Sequence, residues 1–205
     1  ALLISISIKD RSYSLSEQPL KINQLFEKLS VPASVTQFFF MMAYGVVEVY
    51  VAIYAVHHNL LDGGIYFICV AIATVITRIL LGKAIDRYGA GILVHSGNIA
   101  LIIGILLLVF IHNHFGYILS ALMLGASFGA VQPSLQTMAM RTVPPQRRGA
   151  ASSTFFVAFD LGIALGGLIS GILVKYFGYD VMFIAIALCG ICSSVYFYFF
   201  ASRQK

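Results

Sequence analysis

Six apolar runs, each about 20 residues long, constrain the fold of this chain more than any other feature of the sequence. They cover approximately residues 35–57, 64–82, 93–112, 116–139, 151–174 and 180–201. A helix of about 20 residues crosses a hydrocarbon core roughly 30 Å thick, and in lipid a helix satisfies its own backbone hydrogen bonds. The sequence therefore predicts an all-α membrane protein with six transmembrane helices.

The composition agrees with a lipid environment. The chain is 60% hydrophobic and 10% charged, whereas a soluble domain has about 25% charged residues to cover its surface. Apart from Arg78 inside a span and Lys175 in an opposite loop, the cationic residues fall on one predicted face, at Lys9, Arg11, Lys21, Lys28, Lys83, Arg87, Arg141, Arg147, Arg148, Arg203 and Lys205. The positive-inside rule makes that face cytoplasmic, so the net charge of +5 reflects topology and gives no reason to expect a nucleic-acid partner.

The sequence divides into a linker and a bundle. Residues 1–33 begin with a short apolar stretch from Ala1, as if a preceding helix ended there, and continue as a polar cytoplasmic linker. Residues 34–205 hold the six spans. We therefore expect the chain to be the C-terminal part of a larger membrane protein, with both of its ends on the cytoplasmic side.

Two related segments divide the bundle into halves. LLGKAIDRYG (80–89) follows the second span, and ISGILVKYFG (169–178) follows the fifth, with Gly82 and Gly89 aligned to Gly171 and Gly178. Because three is odd, two related three-helix sets have opposite orientations in the membrane. The pattern predicts a 3+3 inverted repeat, a construction that many secondary transporters use.

The segment TRILLGKAIDRYGAG (77–91) is the most specific motif in the chain. Gly82, Asp86, Arg87 and Gly89 resemble the G-x3-D-R-x-G signature of the major facilitator superfamily, although Ala90 and Gly91 stand where that family often has basic residues. The loop MRTVPPQRRGAASS (140–153) and the glycine-rich helix after it resemble the same family. The resemblance extends over nearly the whole chain, as helices seven to twelve with the central linker.

The resemblance implies a fold and a set of partners. Family members place twelve helices in two bundles around a central cavity, so the N-terminal six-helix half of the same carrier would be a partner of this chain. The turn motif closes the cytoplasmic side during alternating access, which would make Arg78, Gly82, Asp86, Arg87 and Gly89 gating residues. The alternative is that these charges mark a solvated cytoplasmic turn.

Two carboxylates lie near the middle of predicted spans, Glu48 in the first and Asp160 in the fifth. A charge at the bilayer centre costs about 2.5–3.5 kcal/mol on insertion scales, so such residues normally face a bundle interior or a wet cavity. A carboxylate held away from water favours its neutral form, so it can exchange protons near neutral pH. Both are candidate proton-coupling or substrate residues; the alternative is a structural pair with Tyr44 or Arg78.

Further polar groups favour a cavity lined by the first and fourth helices. Gln132 and Gln136 flank Pro133 in the fourth span, where a proline permits bending, and Tyr44 precedes Glu48 by one turn. We predict that Tyr44, Gln132 and Gln136 line a cavity. The alternative for Pro133 is a kink that only shapes packing.

Metal and redox chemistry receive little support. Cys189 and Cys192 have redox spacing, but on a lipid-embedded helix such a pair is more typical of packing. Four histidines lie at predicted outer helix ends, at His57, His58, His112 and His114, without an acidic cluster. We expect no cofactor and no metal site.

These features predict a secondary active transporter that moves a small solute across the cell inner membrane, with protons as the coupling ion and efflux of drugs or metabolites as the direction. No pattern of catalytic residues for an intramembrane enzyme is evident. The alternative function is a non-transporting half-carrier that acts as an assembly or sensor partner in the membrane.

Overall fold

The computed structural model of the protein describes residues 26–141 and 143–201, and for residues 82–88 it describes the backbone alone. This part of the chain is helical and contains no strand, which confirms the predicted fold class. The long helices are α1 (Val31–His57), α2 (Gly63–Tyr88), α3 (Ala90–Phe110), α4 (His114–Arg141) and α5 (Arg148–Tyr196). Short 3-10 turns at Lys28–Ser30 and Pro145–Arg147 precede α1 and α5, and a π-helical turn at Phe197–Ala201 follows α5. Most of the predicted linker, residues 1–25, lies outside the described residues.

Five helical stretches in the described residues are long and apolar enough to cross a membrane, and the last of them, Pro145–Ala201, has 57 residues. A straight helix of that length would measure about 85 Å, nearly three times the thickness of a hydrocarbon core. The helix is not straight, because Gly178 has φ 83° and ψ 176°, far from helical values. α5 therefore consists of two arms, residues 148–177 and residues 179–196.

The first arm of α5 runs parallel to α1. Gly162 approaches the backbone of Phe38, near the start of α1. A Cβ added at Gly162 would lie 2.6 Å from the carbonyl oxygen of Phe38. Farther along both helices, the Tyr50 hydroxyl donates to the carbonyl of Gly167 at 3.2 Å. Both chains therefore advance in the same direction along this contact.

The second arm runs the opposite way. Tyr179, at its start, packs against Tyr54 near the end of α1, with ring centroids 5.8 Å apart. Ser193, near its end, donates to the carbonyl of Thr36 at 3.0 Å, close to the start of α1. The chain thus reverses at Gly178, and residues 26–141 and 143–201 contain six long helical segments; six membrane crossings remain a prediction.

Gly89 and Gly178 share a backbone conformation that side chains disfavour. Gly89 ends α2 at φ 79° and ψ 157°, and Gly178 separates the arms of α5 at φ 83° and ψ 176°. An added Cβ would meet nothing within 4 Å at either glycine, so the positive φ rather than space favours glycine there. The two glycines that the sequence repeat aligns therefore make equivalent chain reversals.

Close contacts through small residues fix the packing of α5 against α1 and of α4 against α2. Gly162 and Gly166 lie against the backbone of α1, and Gly129 lies against α2. A Cβ added at Gly129 would lie 2.9 Å from the carbonyl oxygen of Thr74. In lipid, where apolar burial gives helices little drive to associate, this kind of backbone approach supplies van der Waals contact. Large side chains buried completely inside the bundle include Phe40, Tyr54, Leu101, Tyr117, Phe155 and Phe183.

Wide apolar faces remain exposed on α2 and on the first arm of α5. On α2 the exposed side chains include Ile68, Ile72, Val75, Ile76, Ile79 and Leu80. On α5 they include Val157, Leu161, Leu165, Leu168, Ile169 and Ile172. In a membrane, such faces contact lipid or another group of helices.

Candidate functional site

An aromatic stack joins α1 to α4 inside the bundle. Tyr44 is buried and lies on Phe128 of α4, with ring centroids 4.8 Å apart and ring planes 21° apart. Phe40, one turn earlier on α1, continues the stack at 5.9 Å from Tyr44. Contacts of this kind fix the rings in place, so Tyr44 presents its hydroxyl from a rigid position.

Arg78 brings α2 to the same place. Its guanidinium carbon lies 5.7 Å from the centroid of the Phe128 ring, within cation–π range, and Nη2 donates to Gln132 Oε1 at 3.2 Å. Gln132 in turn donates from Nε2 to Gln136 Oε1 at 3.1 Å. The charge of Arg78 is therefore held by neutral groups, and most of its N–H donors are not used by described residues.

A cavity of about 250 Å³ opens beside this arginine. Its lining includes Arg78, Gln132, Pro133 and Gln136. Pro133 has no backbone N–H and therefore donates no hydrogen bond to the carbonyl of Gly129, one turn earlier in α4. The predicted cavity-lining glutamines thus face one small space together with Arg78.

Glu48 lies one helical turn beyond Tyr44, on the same side of α1. The residue is exposed, and its carboxylate makes no hydrogen bond or ion pair with any residue that the structure describes. Tyr44 therefore connects Glu48, one turn farther along α1, with Phe128, over whose ring Arg78 lies. We call Tyr44, Glu48, Arg78, Phe128, Gln132 and Gln136 the central cluster; Phe128 is the member that the sequence analysis missed.

Asp160 lies outside the central cluster. It is exposed on the first arm of α5, in the same apolar stripe as Val157 and Leu161, and no described side chain binds its carboxylate. A structural pair with Tyr44 or Arg78 is therefore absent from this part of the structure. Asp160 stays a candidate on the sequence argument alone.

The gating motif is only partly described. The side chains of Gly82, Asp86 and Arg87 lie in the segment where the structure gives the backbone alone, so the predicted Arg78–Asp86 interaction lies outside the described residues. Gly89 ends the helix in the positive-φ conformation given above. Arg78 itself contacts the cavity residues Phe128 and Gln132.

An ion pair whose two side chains are in direct contact lies at the start of α1. Arg147 Nε donates to Glu27 Oε2 at 2.5 Å, and Arg147 Nη2 donates to the carbonyl of Phe26 at 3.0 Å. The backbone N–H of Leu29 lowers the pKa of Glu27 below its ordinary value, and the Arg147 guanidinium lowers it further, against the opposing effect of burial. The Glu27 amide also donates to Thr154 Oγ1 at 3.0 Å. We call the Glu27–Arg147 pair the clasp; it joins the residues before α1 to the α4–α5 connection.

Three of the four outer histidines meet at the far end of α1. His58 stacks on His112 with centroids 4.9 Å apart, His57 lies 5.0 Å from His58, and His112 Nε2 lies 3.6 Å from Asp180 Oδ1. Burial lowers the pKa of His58, the neighbouring imidazoles lower it further, and Asp180 opposes them. Among the described residues, no group of three or more His, Cys, Asp or Glu side chains is placed to hold a metal ion.

The fold and the central cluster define a class, an α-helical membrane bundle with polar residues gathered between α1, α2 and α4. The sequence model of the Major Facilitator Superfamily matches residues 33–205. The chain belongs to this superfamily, which consists of membrane transporters rather than enzymes.

Individual relatives are similar over part of the chain. An uncharacterized MFS-type transporter, YhhS, of Salmonella enteritidis is 31% identical over 123 residues, which are 57% of this chain and 29% of the relative. YhhS of Escherichia coli K12 is 32% identical over 117 residues, 54% of this chain and 27% of the relative. The matched region thus spans less than a third of these curated relatives.

Proposed function

We propose that this chain forms the C-terminal bundle of a secondary transporter that moves a small solute by alternating access. Superfamily membership and the similarity to MFS-type transporters support the class of activity. The observation that carries the proposal is the central cluster, where Arg78 lines a cavity, Glu48 lies one turn of α1 beyond the Tyr44–Phe128 stack, and the two charges form no ion pair. A charge that only stabilised the fold would be expected to have a charged partner in a membrane.

We propose an N-terminal six-helix bundle as the partner across the cavity. The exposed apolar faces of α2 and of the first arm of α5 agree with helices that meet a second bundle rather than lipid alone. The membrane would be the cell inner membrane, with the clasp on the cytoplasmic side, as the distribution of basic residues predicts.

Glu48 is the leading candidate for proton coupling, and Asp160 is the second. Glu48 lies one turn of α1 beyond Tyr44 and lacks a described partner, so binding a proton breaks no contact with the described residues. A solute that binds near Glu48 would then be linked to the proton by competition, which is the requirement for proton-driven efflux.

The gating role stays with Arg78, Gly82, Asp86, Arg87 and Gly89. During alternating access this turn would pack against the opposite bundle in one state and separate from it in the other. Arg78, within α2, would connect the turn to the cavity through Gln132.

The test is solute transport by the intact gene product in proteoliposomes with an imposed pH gradient, over a panel of drugs and metabolites. We expect at least one solute to move against its gradient, and Glu48→Gln to lower the pH-driven rate at least about tenfold. Arg148→Gln, at an exposed arginine whose side chain makes no hydrogen bond or ion pair with the described residues, is the control. Parental pH-driven rates in both Glu48→Gln and Asp160→Asn would contradict proton coupling, and transport of no solute would contradict the proposed function.

A further inference from the structure

The central cluster carries one positive and one negative charge that do not pair with each other. Within the described residues the ion pairs are Arg147 with Glu27 and His112 with Asp180. Glu48 and Arg78 are both exposed; Glu48 lies one turn of α1 beyond Tyr44, and Arg78 lies over the Phe128 ring that stacks on Tyr44. The cluster is thus electrically neutral as a whole, but its two charges are separated.

The aromatic stack connects the helices that carry these two charges. The Arg78 guanidinium lies 5.7 Å from the Phe128 ring, Phe128 lies 4.8 Å from Tyr44, and Glu48 follows Tyr44 by one turn of α1. Proceeding along the site, a solute would therefore meet a cation, an apolar aromatic surface and an anion. This arrangement is complementary to a molecule that has an anionic group and an ammonium group on either side of an apolar or planar spacer.

Energetics favour such a solute over a singly charged one. In a membrane interior an unpaired charge is costly, and a ligand that neutralises only one of two separated charges leaves the other one uncompensated. An arginine guanidinium can bind a carboxylate in a bidentate manner through two parallel N–H donors, and Arg78 uses one of its N–H donors for Gln132. Glu48 accepts N–H donors and has none among the described residues.

The size of the cavity limits the solute. The space beside Arg78 is about 250 Å³, below the 300–1,000 Å³ that is typical of sites for drug-sized ligands. This volume fits the anionic end of a small molecule, and Gln132 and Gln136 supply neutral hydrogen-bonding groups beside it.

We propose that the central cluster binds a small zwitterion, with its anionic group on Arg78, its apolar spacer along Phe128 and Tyr44, and its ammonium group on Glu48. This inference rests on the proposed transport function and specifies the substrate class of the same site. It also gives the coupling a physical basis, because the ammonium group and a proton compete for one carboxylate, so that proton entry releases the solute.

The test uses rigid probes that differ only in charge. 4-(Aminomethyl)benzoic acid is the zwitterion, its methyl ester is the cation, and its N-acetyl derivative is the anion; phenylalanine, its methyl ester and its N-acetyl derivative form a second set with a shorter charge separation. Binding to the intact gene product in nanodiscs is measured by calorimetry at pH 6.5, where the amino groups of both esters are mostly protonated. We expect a zwitterion from at least one set to bind about tenfold more tightly than both of its singly charged relatives.

Two variants assign the charges to residues. In Glu48→Gln, the zwitterion and its N-acetyl derivative should bind equally, because the ammonium group has lost its partner. In Arg78→Gln, the zwitterion and its ester should bind equally for the corresponding reason. Arg148→Gln should leave the parental order of affinities unchanged.

The outcomes separate this inference from the proposed function. Tighter binding of a cation or an anion than of the zwitterion in both sets, or binding of none of the probes, overturns the zwitterion assignment, while transport of any solute in the panel leaves the proposed function in place. Absence of transport for the whole panel overturns the proposed function instead. A preference for zwitterions that persists in both Glu48→Gln and Arg78→Gln places the site elsewhere and overturns the assignment to the central cluster.

Discussion

The clasp and the central cluster each combine an arginine with a glutamate, but they do so in opposite ways. In the clasp, Arg147 and Glu27 are in direct contact at 2.5 Å, and the glutamate receives a second hydrogen bond from the backbone of Leu29. In the central cluster, Arg78 and Glu48 do not touch, and neutral groups hold the arginine. The comparison teaches that a closed pair joins segments of the bundle, whereas an open pair leaves both charges available to a ligand.

The largest effect is expected from separating α1 from α5, because α1 carries Tyr44 and Glu48 and begins just after the clasp. In Gly162→Ala, the new Cβ meets the carbonyl oxygen of Phe38 at 2.6 Å. Overpacking against a backbone atom costs about 1–3 kcal/mol, so we expect loss of both thermal stability and transport. The measurement is the temperature at which half of the purified intact protein loses its monodisperse chromatographic peak.

Gly167→Ala is the matched control for this change. Gly167 lies one residue after Gly166 on the same arm, and an added Cβ there meets nothing within 4 Å. Alanine has the higher helix propensity, so this variant should be neutral or more stable by up to about 1 kcal/mol. Equal losses in Gly162→Ala and Gly167→Ala would show that the close contact with α1 does not hold the bundle together.

Opening the clasp should lower stability without removing transport. Arg147→Gln takes away the partner of Glu27 and the hydrogen bond to the carbonyl of Phe26. A mostly buried carboxylate without its partner is costly, so the thermal midpoint should fall by several degrees. In a chain of this size, a loss of 1 kcal/mol lowers the midpoint by about 2–4 °C. Arg148→Gln is the neighbouring control. An unchanged midpoint in Arg147→Gln would mean that the clasp does not stabilise the fold.

The clasp should also make stability depend on acidity. The folded-state pKa of Glu27 lies below its ordinary value of 4.5, so the contribution of the clasp is fully present above that pH and is lost as the pH falls through the folded-state pKa. Between pH 5 and pH 3.5, the thermal midpoint of the parental protein should fall more steeply than that of Glu27→Gln. Parallel curves for the two proteins would contradict a role of the Glu27 charge.

The smallest effect is expected at the histidine stack on the far end of α1. The folded-state pKa of His58 lies below its ordinary value of 6.5, so the unfolded chain takes up the proton first and stability falls as the pH drops from 6.5 towards the folded-state pKa. His58→Phe keeps a ring beside Tyr54 and His112 but cannot titrate. Between pH 7.5 and 5.5, the thermal midpoint of His58→Phe should change less than that of the parental protein. The difference between the two changes should be under about 4 °C. A larger fall of the thermal midpoint in His58→Phe than in the parental protein over this pH range would contradict this origin of the pH dependence.

The helical fold was predictable because a membrane leaves the backbone few alternatives. Runs of apolar residues located the helices, and the repeat of Gly89 at Gly178 located two equivalent reversals. The central cluster was predictable in part: Tyr44, Gln132 and Gln136 are polar groups in apolar spans. Phe128 escaped notice because an aromatic residue is ordinary in such a span, although it precedes Gln132 by one turn of the same helix.

Contacts between distant segments could not be predicted from these patterns. The charge pattern places Arg147 on the cytoplasmic face as one of many cations and indicates no partner for Glu27, since 120 residues separate the two along the chain. Arg78 was assigned to the gate by its motif, yet its described contacts are with α4, because Gly125 and Gly129 allow α2 to approach closely. Spacing along one helix identifies a face, but the packing of helices decides what that face meets.

The most direct test of the account compares Arg78→Gln with Arg147→Gln in one transport assay, using the best solute of the panel and equal amounts of monodisperse intact protein in proteoliposomes. We expect Arg78→Gln to lower the pH-driven rate at least about tenfold while keeping the parental thermal midpoint. Arg147→Gln should show the reverse, a lower midpoint with a transport rate per folded molecule near the parental value. Parental transport in Arg78→Gln together with loss of transport in Arg147→Gln would contradict the division between an open pair for function and a closed pair for stability.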